Sequence, residues 1–158
     1  MTDVHKTGLG TQLRLLLLQL DGELTAHYRR QGHQFRPRFY PVFQLLMRNE
    51  GASVSEIADQ LQCSQPAATQ TLAEMKRCDF IEYAKGSDQR ERIVSLSQHG
   101  LSTAKELQPI WKAVALAASQ LDDELPYPLS TILDEALAAL TLKSFPERIA
   151  EFSSREED

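Results

Sequence analysis

The 158-residue sequence has only two cysteines, Cys63 and Cys78, too few for a disulfide framework. No apolar run approaches the ~18 residues of a membrane span. Leu15–Leu18 looks like the centre of a signal peptide, but Gln19, Asp21 and Glu23 follow at once and no small-residue cleavage site is present. These absences lead us to expect a cytoplasmic protein. The four histidines, His5, His27, His33 and His99, share no metal-ligand spacing with one another or with the cysteines. There is no glycine-rich phosphate loop, no Ser/His/Asp order and no pair of catalytic carboxylates. Neither an enzyme nor a cofactor is expected. Positive charge is not in excess either: 17 Lys and Arg face 22 Asp and Glu, a net charge of −5. That lowers the expectation of nucleic-acid binding without excluding it, because affinity follows the local face and not the sum.

What remains is an ordinary globular composition, 42% hydrophobic and 25% charged. Leu9, Leu13, Leu16, Leu17, Leu20, Leu24 and Tyr28 recur at three- and four-residue steps, a helical stripe. Leu15 and Leu18 lie off it, so this helix is apolar nearly all round and needs cover on both sides. In a small chain a second copy is the natural cover. Residues 29–38 form a basic connector with four arginines. A second helix is expected over residues 38–49, with Val42, Phe43, Leu46 and Met47 inward and Gly51 as its stop.

Ser53 and Glu56 then form a capping box ahead of a helix carrying Val54, Ile57, Ala58 and Leu61. A tight turn leads to Ser64, a good N-cap, with Pro66 in the first turn of the next helix. That helix runs to about Cys78 with Ala68, Leu72 and Met75 inward. It sets the two cysteines roughly 20 Å apart, at about 1.5 Å per residue. That is beyond disulfide reach, so both are expected as core thiols. Residues 80–84 and 92–96 read as strands with turn formers between. Ser97 caps a long helix with Leu101, Ala104, Leu107, Ile110, Trp111, Val114, Ala118 and Leu121 on its stripe. Pro126 and Pro128 break the chain before a helix carrying Leu129, Ile132, Leu133, Ala136, Leu137 and Leu140. Phe145, Ile149 and Phe152 suggest a further amphipathic turn or two. The acidic tail beyond is expected to be mobile.

Helix, tight turn, capped helix and hairpin is the order of a winged helix-turn-helix. A helix fits the major groove, and a hairpin reaches the neighbouring minor groove or backbone. With Leu72 at the centre of the buried face, Pro66, Ala67, Gln70, Glu74 and Arg77 face outward and Thr69 lies on the flank. Asp88-Gln89-Arg90, Leu96-Ser97 and Gly100 resemble the MarR family of bacterial transcription regulators, whose hairpin carries Asp-x-Arg followed by Leu-Thr-x-x-Gly. Upstream, Pro37, Val42, Phe43, Leu46 and residues 54–58 fall at that family's spacings.

The resemblance implies a mainly α fold: a winged helix-turn-helix with a two-stranded wing, flanked by N- and C-terminal dimerisation helices. Residues 1–35 would form the first dimerisation helix and connector, 36–100 the DNA-binding domain, 101–152 the C-terminal dimerisation helices and 153–158 the tail. It also implies a homodimer on double-stranded DNA, with Arg90 in the minor groove and Asp88 supporting it. Lys85 and Arg92 are candidate phosphate contacts. Ser64, Gln65, Ala67, Thr69, Gln70 and Arg77 are candidate groove residues. Arg36, Arg38, Tyr40 and Trp111 are candidates for binding a small aromatic or anionic effector. Departures from the family pattern are Gln70 for the usual Arg, Asp79 for Gly, Tyr83 for a common Arg with a wing one residue short, and Pro41 inside helix two. From Ser64 to Arg92 five bases meet five acids. The rival reading is therefore a winged-helix interaction or metabolite-binding module that has lost DNA binding.

Overall fold

The computed structural model describes residues 8–86 and 92–153. Within them the order is α1 (Leu9–Arg30), a 3-10 turn (Pro37–Phe39), α2 (Tyr40–Asn49), β1 (Ala52–Ser53), α3 (Val54–Gln60), α4 (Gln65–Arg77), β2 (Ile81–Lys85), β3 (Arg92–Leu96), α5 (Gln98–Glu124), α6 (Leu129–Leu142) and α7 (Phe145–Ser153). The chain divides into two compact units, Met1–Glu106 and Leu107–Asp158. The expected tail lies mostly outside the described residues.

In the first unit three helices end in the same way. After α1, α3 and α4 the chain turns through a residue with positive φ: Gly32, Gln62 and Asp79. The next N–H then reaches back five residues: His33 to Tyr28, Cys63 to Ala58 and Phe80 to Met75, each at 2.9–3.0 Å. This motif satisfies carbonyls that a helix end leaves open. Asp79 does adopt the left-handed conformation, at φ 57. At the end of α2 the expectation needs correcting. Glu50, not Gly51, takes positive φ. Gly51 is required for a close approach instead, since a Cβ there would lie 2.9 Å from Ile93 Cγ2. Pro41 falls in the first turn of α2, where its missing N–H costs little.

The basic connector hides the centre of the core. Phe35 is fully buried and packs edge-on against Tyr28 and Phe43, with ring centroids 5.0 and 5.1 Å away. Phe80 closes the cluster on Phe43 at 5.4 Å. Each such pair contributes about 0.5–1.5 kcal/mol beyond area burial. Phe80 belongs to the turn that ends α4, with its N–H on the Met75 carbonyl, and β2 starts one residue later than expected. On α2, Val42, Phe43, Leu45 and Leu46 are buried, whereas Met47, expected inward, is exposed. The cysteines also depart from expectation: Cys63 is exposed and Cys78 half-buried, both as free thiols.

The wing gains a third strand. β1 pairs antiparallel with β3 through Ala52–Val94 and Ser53–Ile93, and β3 pairs with β2. Two residues were too few to announce a strand in the sequence. The Leu96-Ser97-x-x-Gly100 motif then locks this sheet to two helices. The Ser97 hydroxyl donates to the Asp79 carbonyl, and its oxygen accepts from the Gly100 N–H at 2.9 Å. The Ser97 N–H donates to the Phe80 carbonyl at 3.0 Å.

In the second unit, α6 and α7 have no buried residue. Ile132, Leu133, Leu137, Leu140, Phe145, Ile149 and Phe152 are all exposed. In the first unit α1 buries only Tyr28, and Leu9, Leu13, Leu15, Leu17, Leu18 and Leu20 are exposed.

Candidate nucleic-acid interface

The two helices of the candidate interface are started by caps. Ser53 accepts the Glu56 N–H and Glu56 accepts the Ser53 N–H at 2.7 Å, the expected capping box that starts α3. Hydrogen bonding to the carboxylate holds the Glu56 carboxyl below its ordinary value. Ser64 accepts the Ala67 N–H at 3.3 Å and starts α4. Gln65 Nε2 donates to Ser55 Oγ at 3.2 Å, tying together the starts of α3 and α4.

On α4 the buried stripe is Ala68, Leu72 and Met75, as expected. Gln65, Ala67, Thr69, Gln70 and Arg77 are exposed, and so is the cap, Ser64. Small and polar side chains at the front of a helix let its backbone approach base edges. Gln70 offers one donor and one acceptor on a planar amide, the match to adenine N6 and N7.

On the hairpin, Tyr83 opposes Val94 and Lys85 opposes Arg92. The last pair sets two exposed cations side by side at the outer end of the described hairpin. Like charges opposite one another are unfavourable alone and suit a phosphate chain. Burial pushes the Tyr83 hydroxyl up, and Arg92 partly offsets it. Asp88 and Arg90 lie outside the described residues.

Glu74 is the residue that sequence reasoning undervalued. By its position on the helix it is one more outward acid. Its side chain is only 12% exposed, and it gathers three arginines. Arg36 Nη1 donates to Glu74 Oε2 at 3.2 Å, Arg38 Nη2 donates to the same oxygen, and Arg77 Nη2 lies 4.0 Å from Oε1. The sequence separation of 36 and 38 residues hid the first two partners. Tyr40, expected beside those arginines, is exposed and lines a depression with Pro41, Gln44 and Arg48. Trp111 is buried and belongs to the second unit.

A larger cleft, about 690 Å³, opens in the first unit where α1 ends. His33, Arg77, Cys78, His99 and Glu106 line it. His33 Nδ1 lies 3.9 Å from Glu106 Oε2, and His99 stacks on Phe80. Among the described residues no group of three or more His, Cys, Asp or Glu is placed to hold a metal ion. No helix among them is long and apolar enough to cross a membrane.

No family model matches the sequence. No curated protein matches it either. Solved structures do. The MOSR transcriptional regulator of M. tuberculosis in complex with DNA aligns at a TM-score of 0.68 and 17% identity, over 87% of this chain and 99% of that one. The S. aureus MepR–DNA complex aligns at 0.66 and 14%, over 86% and 98%. AbsC of Streptomyces coelicolor, a MarR family transcriptional regulator, aligns at 0.64 and 22%, over 89% and 94%. The chain has the MarR-family fold. At these identities the likeness concerns the fold, and the fold alone. In this chain the spacing of Leu96, Ser97 and Gly100 serves the junction of wing, α4 and α5.

Proposed function

We propose that this MarR-like chain is a DNA-binding transcription regulator and not an enzyme. The observation that carries the reading is the outward face of α4: Ser64, Gln65, Ala67, Thr69 and Gln70 stand clear of a core-facing stripe, beside a hairpin whose outer end carries Lys85 and Arg92. A helix of that character fits the major groove, and the hairpin lies where backbone phosphates run. Two solved relatives in fold carry DNA in their structures.

The working unit in this reading is a homodimer. The exposed apolar faces of α1, α6 and α7 are the surfaces that a second copy would cover. A standard two-fold interface buries about 1,600 Å². Two copies of α4 related by a two-fold axis read a near-palindromic operator with half-sites about one helical turn apart. A small aromatic or anionic ligand that drew Arg36 or Arg38 from Glu74 would alter the reading head and serve as effector.

The five-to-five charge balance from Ser64 to Arg92 favours one rival, a winged-helix module that binds a protein or metabolite and not DNA. Selection of genomic fragments at low salt, followed by sequencing, separates the two. Enrichment of a near-palindrome supports the regulator. Uniform recovery no greater than that of bare resin defeats it.

A further inference from the structure

The charged groups that meet α4 do not all come from residues 64–92. Arg36 and Arg38 both reach Glu74 on α4. Glu74 follows Gln70 by four residues, one helical turn and about 6 Å along the same face. The two guanidinium groups therefore sit one turn behind the residue best suited to read a base. Their side chains remain 50% and 42% exposed, while the carboxylate between them is largely covered. Each guanidinium has five donors in a planar fork, and one bond to Glu74 leaves the fork able to meet a phosphate.

We propose that Arg36 and Arg38 belong to the DNA-contacting surface and bind backbone phosphates flanking the groove that α4 enters. The inference rests on the DNA-binding reading above. Residues 36–100 as a whole stay balanced, eight bases against eight acids, but two of those bases stand beside the outward face of α4. Glu74 sets the position of the pair: one carboxylate acceptor fixes two long side chains that would otherwise sample many rotamers. Two cations are thereby held beside α4 by residues that precede the helix-turn-helix in the chain.

The test uses the full-length protein and a mixed-sequence DNA duplex of about 30 base pairs, with affinity measured by fluorescence anisotropy at several salt concentrations. Arg36→Gln/Arg38→Gln is compared with Arg29→Gln/Arg30→Gln, which removes the same charge from exposed positions in the last turn of α1. The slope of log affinity against log salt changes by about 0.9 for each phosphate that is no longer neutralised. We expect the first pair to shallow the slope by nearly two and the control pair by less than half as much. Single Gln variants, each shallowing it by nearly one, replace the double if its thermal melt shows unfolding. Equal changes for the two pairs would show a mere net-charge effect and overturn the inference. An unchanged slope in the Arg36/Arg38 variant of a parent that binds DNA overturns the inference and leaves the regulator reading standing. A parent that binds no duplex even at low salt overturns both.

Discussion

Gly100 lies so close to Phe80 that a Cβ on Gly100 would sit 2.1 Å from the Phe80 carbonyl oxygen. That carbonyl also accepts the Ser97 N–H. The start of α5 and the end of α4 thus meet backbone against backbone, with no side chain able to yield. Gly100→Ala should cost about 1–3 kcal/mol of stability, through the strain of an overpacked site. Urea unfolding of the variant is the check, and an unchanged midpoint would show that the junction opens more easily than its geometry implies.

Asp79 holds a left-handed conformation that a residue without a Cβ adopts freely. Its contacts to Ser97 and Lys76 run through backbone atoms, which a substitution keeps. Asp79→Gly should therefore stabilise the protein by about 1 kcal/mol. Differential scanning calorimetry should show a higher melting temperature. A lower one would mean that the Asp side chain contributes something beyond conformation.

The capping box of α3 makes stability pH-dependent. The Glu56 carboxyl is held below its ordinary value of 4.5 by the Ser53 N–H and hydroxyl. A depressed folded value means that the stabilisation is present above the unfolded value and is lost as pH falls through the folded one. Glu56→Gln should flatten the acid limb of a stability–pH curve below about pH 4.5, most clearly in the difference from the parent. Parallel curves for parent and variant would remove the capping box from the acid response.

Base reading and backbone binding should separate by residue. Gln70→Ala should relax preference at one base pair per half-site by about 1–3 kcal/mol and leave the salt slope nearly unchanged. Lys85→Ala should weaken all sequences alike and shallow the slope by about one. Arg90→Ala, outside the described residues, should cost about 1–3 kcal/mol of operator binding. A binding series over single-base operator variants at several salt concentrations distinguishes these outcomes. Uniform weakening by Gln70→Ala with a shallower slope would reassign it to the backbone.

Assembly should depend on α1 and α6. Leu17 and Leu137 are each 58% exposed and sit on apolar faces. Leu17→Glu and Leu137→Glu would place charges in a closed apolar interface and should drive the protein to monomer in multi-angle light scattering. If the unsubstituted protein is already a monomer at micromolar concentration, the dimer proposal fails.

Much of this molecule is written locally. The spacing of Ala68, Leu72 and Met75 already places a helix with one buried face, because the 3.6-residue period leaves no other common face for them. Ser53 with Glu56, and Ser64 with Pro66, mark two helix starts, because a cap acts over three residues and needs no distant partner. The Leu96-Ser97-x-x-Gly100 pattern could be recognised too, although its purpose was out of reach. Ser97 acts on Asp79 across 18 residues, and Gly100 answers to a carbonyl twenty positions earlier.

The tertiary structure decided what contacts over long separations decide. It made Phe35 the hub of the core from within a stretch that reads as basic and polar. It left Met47 outside, drew β1 into the sheet from two residues, and kept Cys63 exposed. It also turned Arg36 and Arg38 from a loose connector into partners of Glu74. The reason is common to all five. Periodicity and caps report the chain's own neighbourhood, whereas burial and ion pairing depend on which remote segment packs there, and no local pattern carries that information.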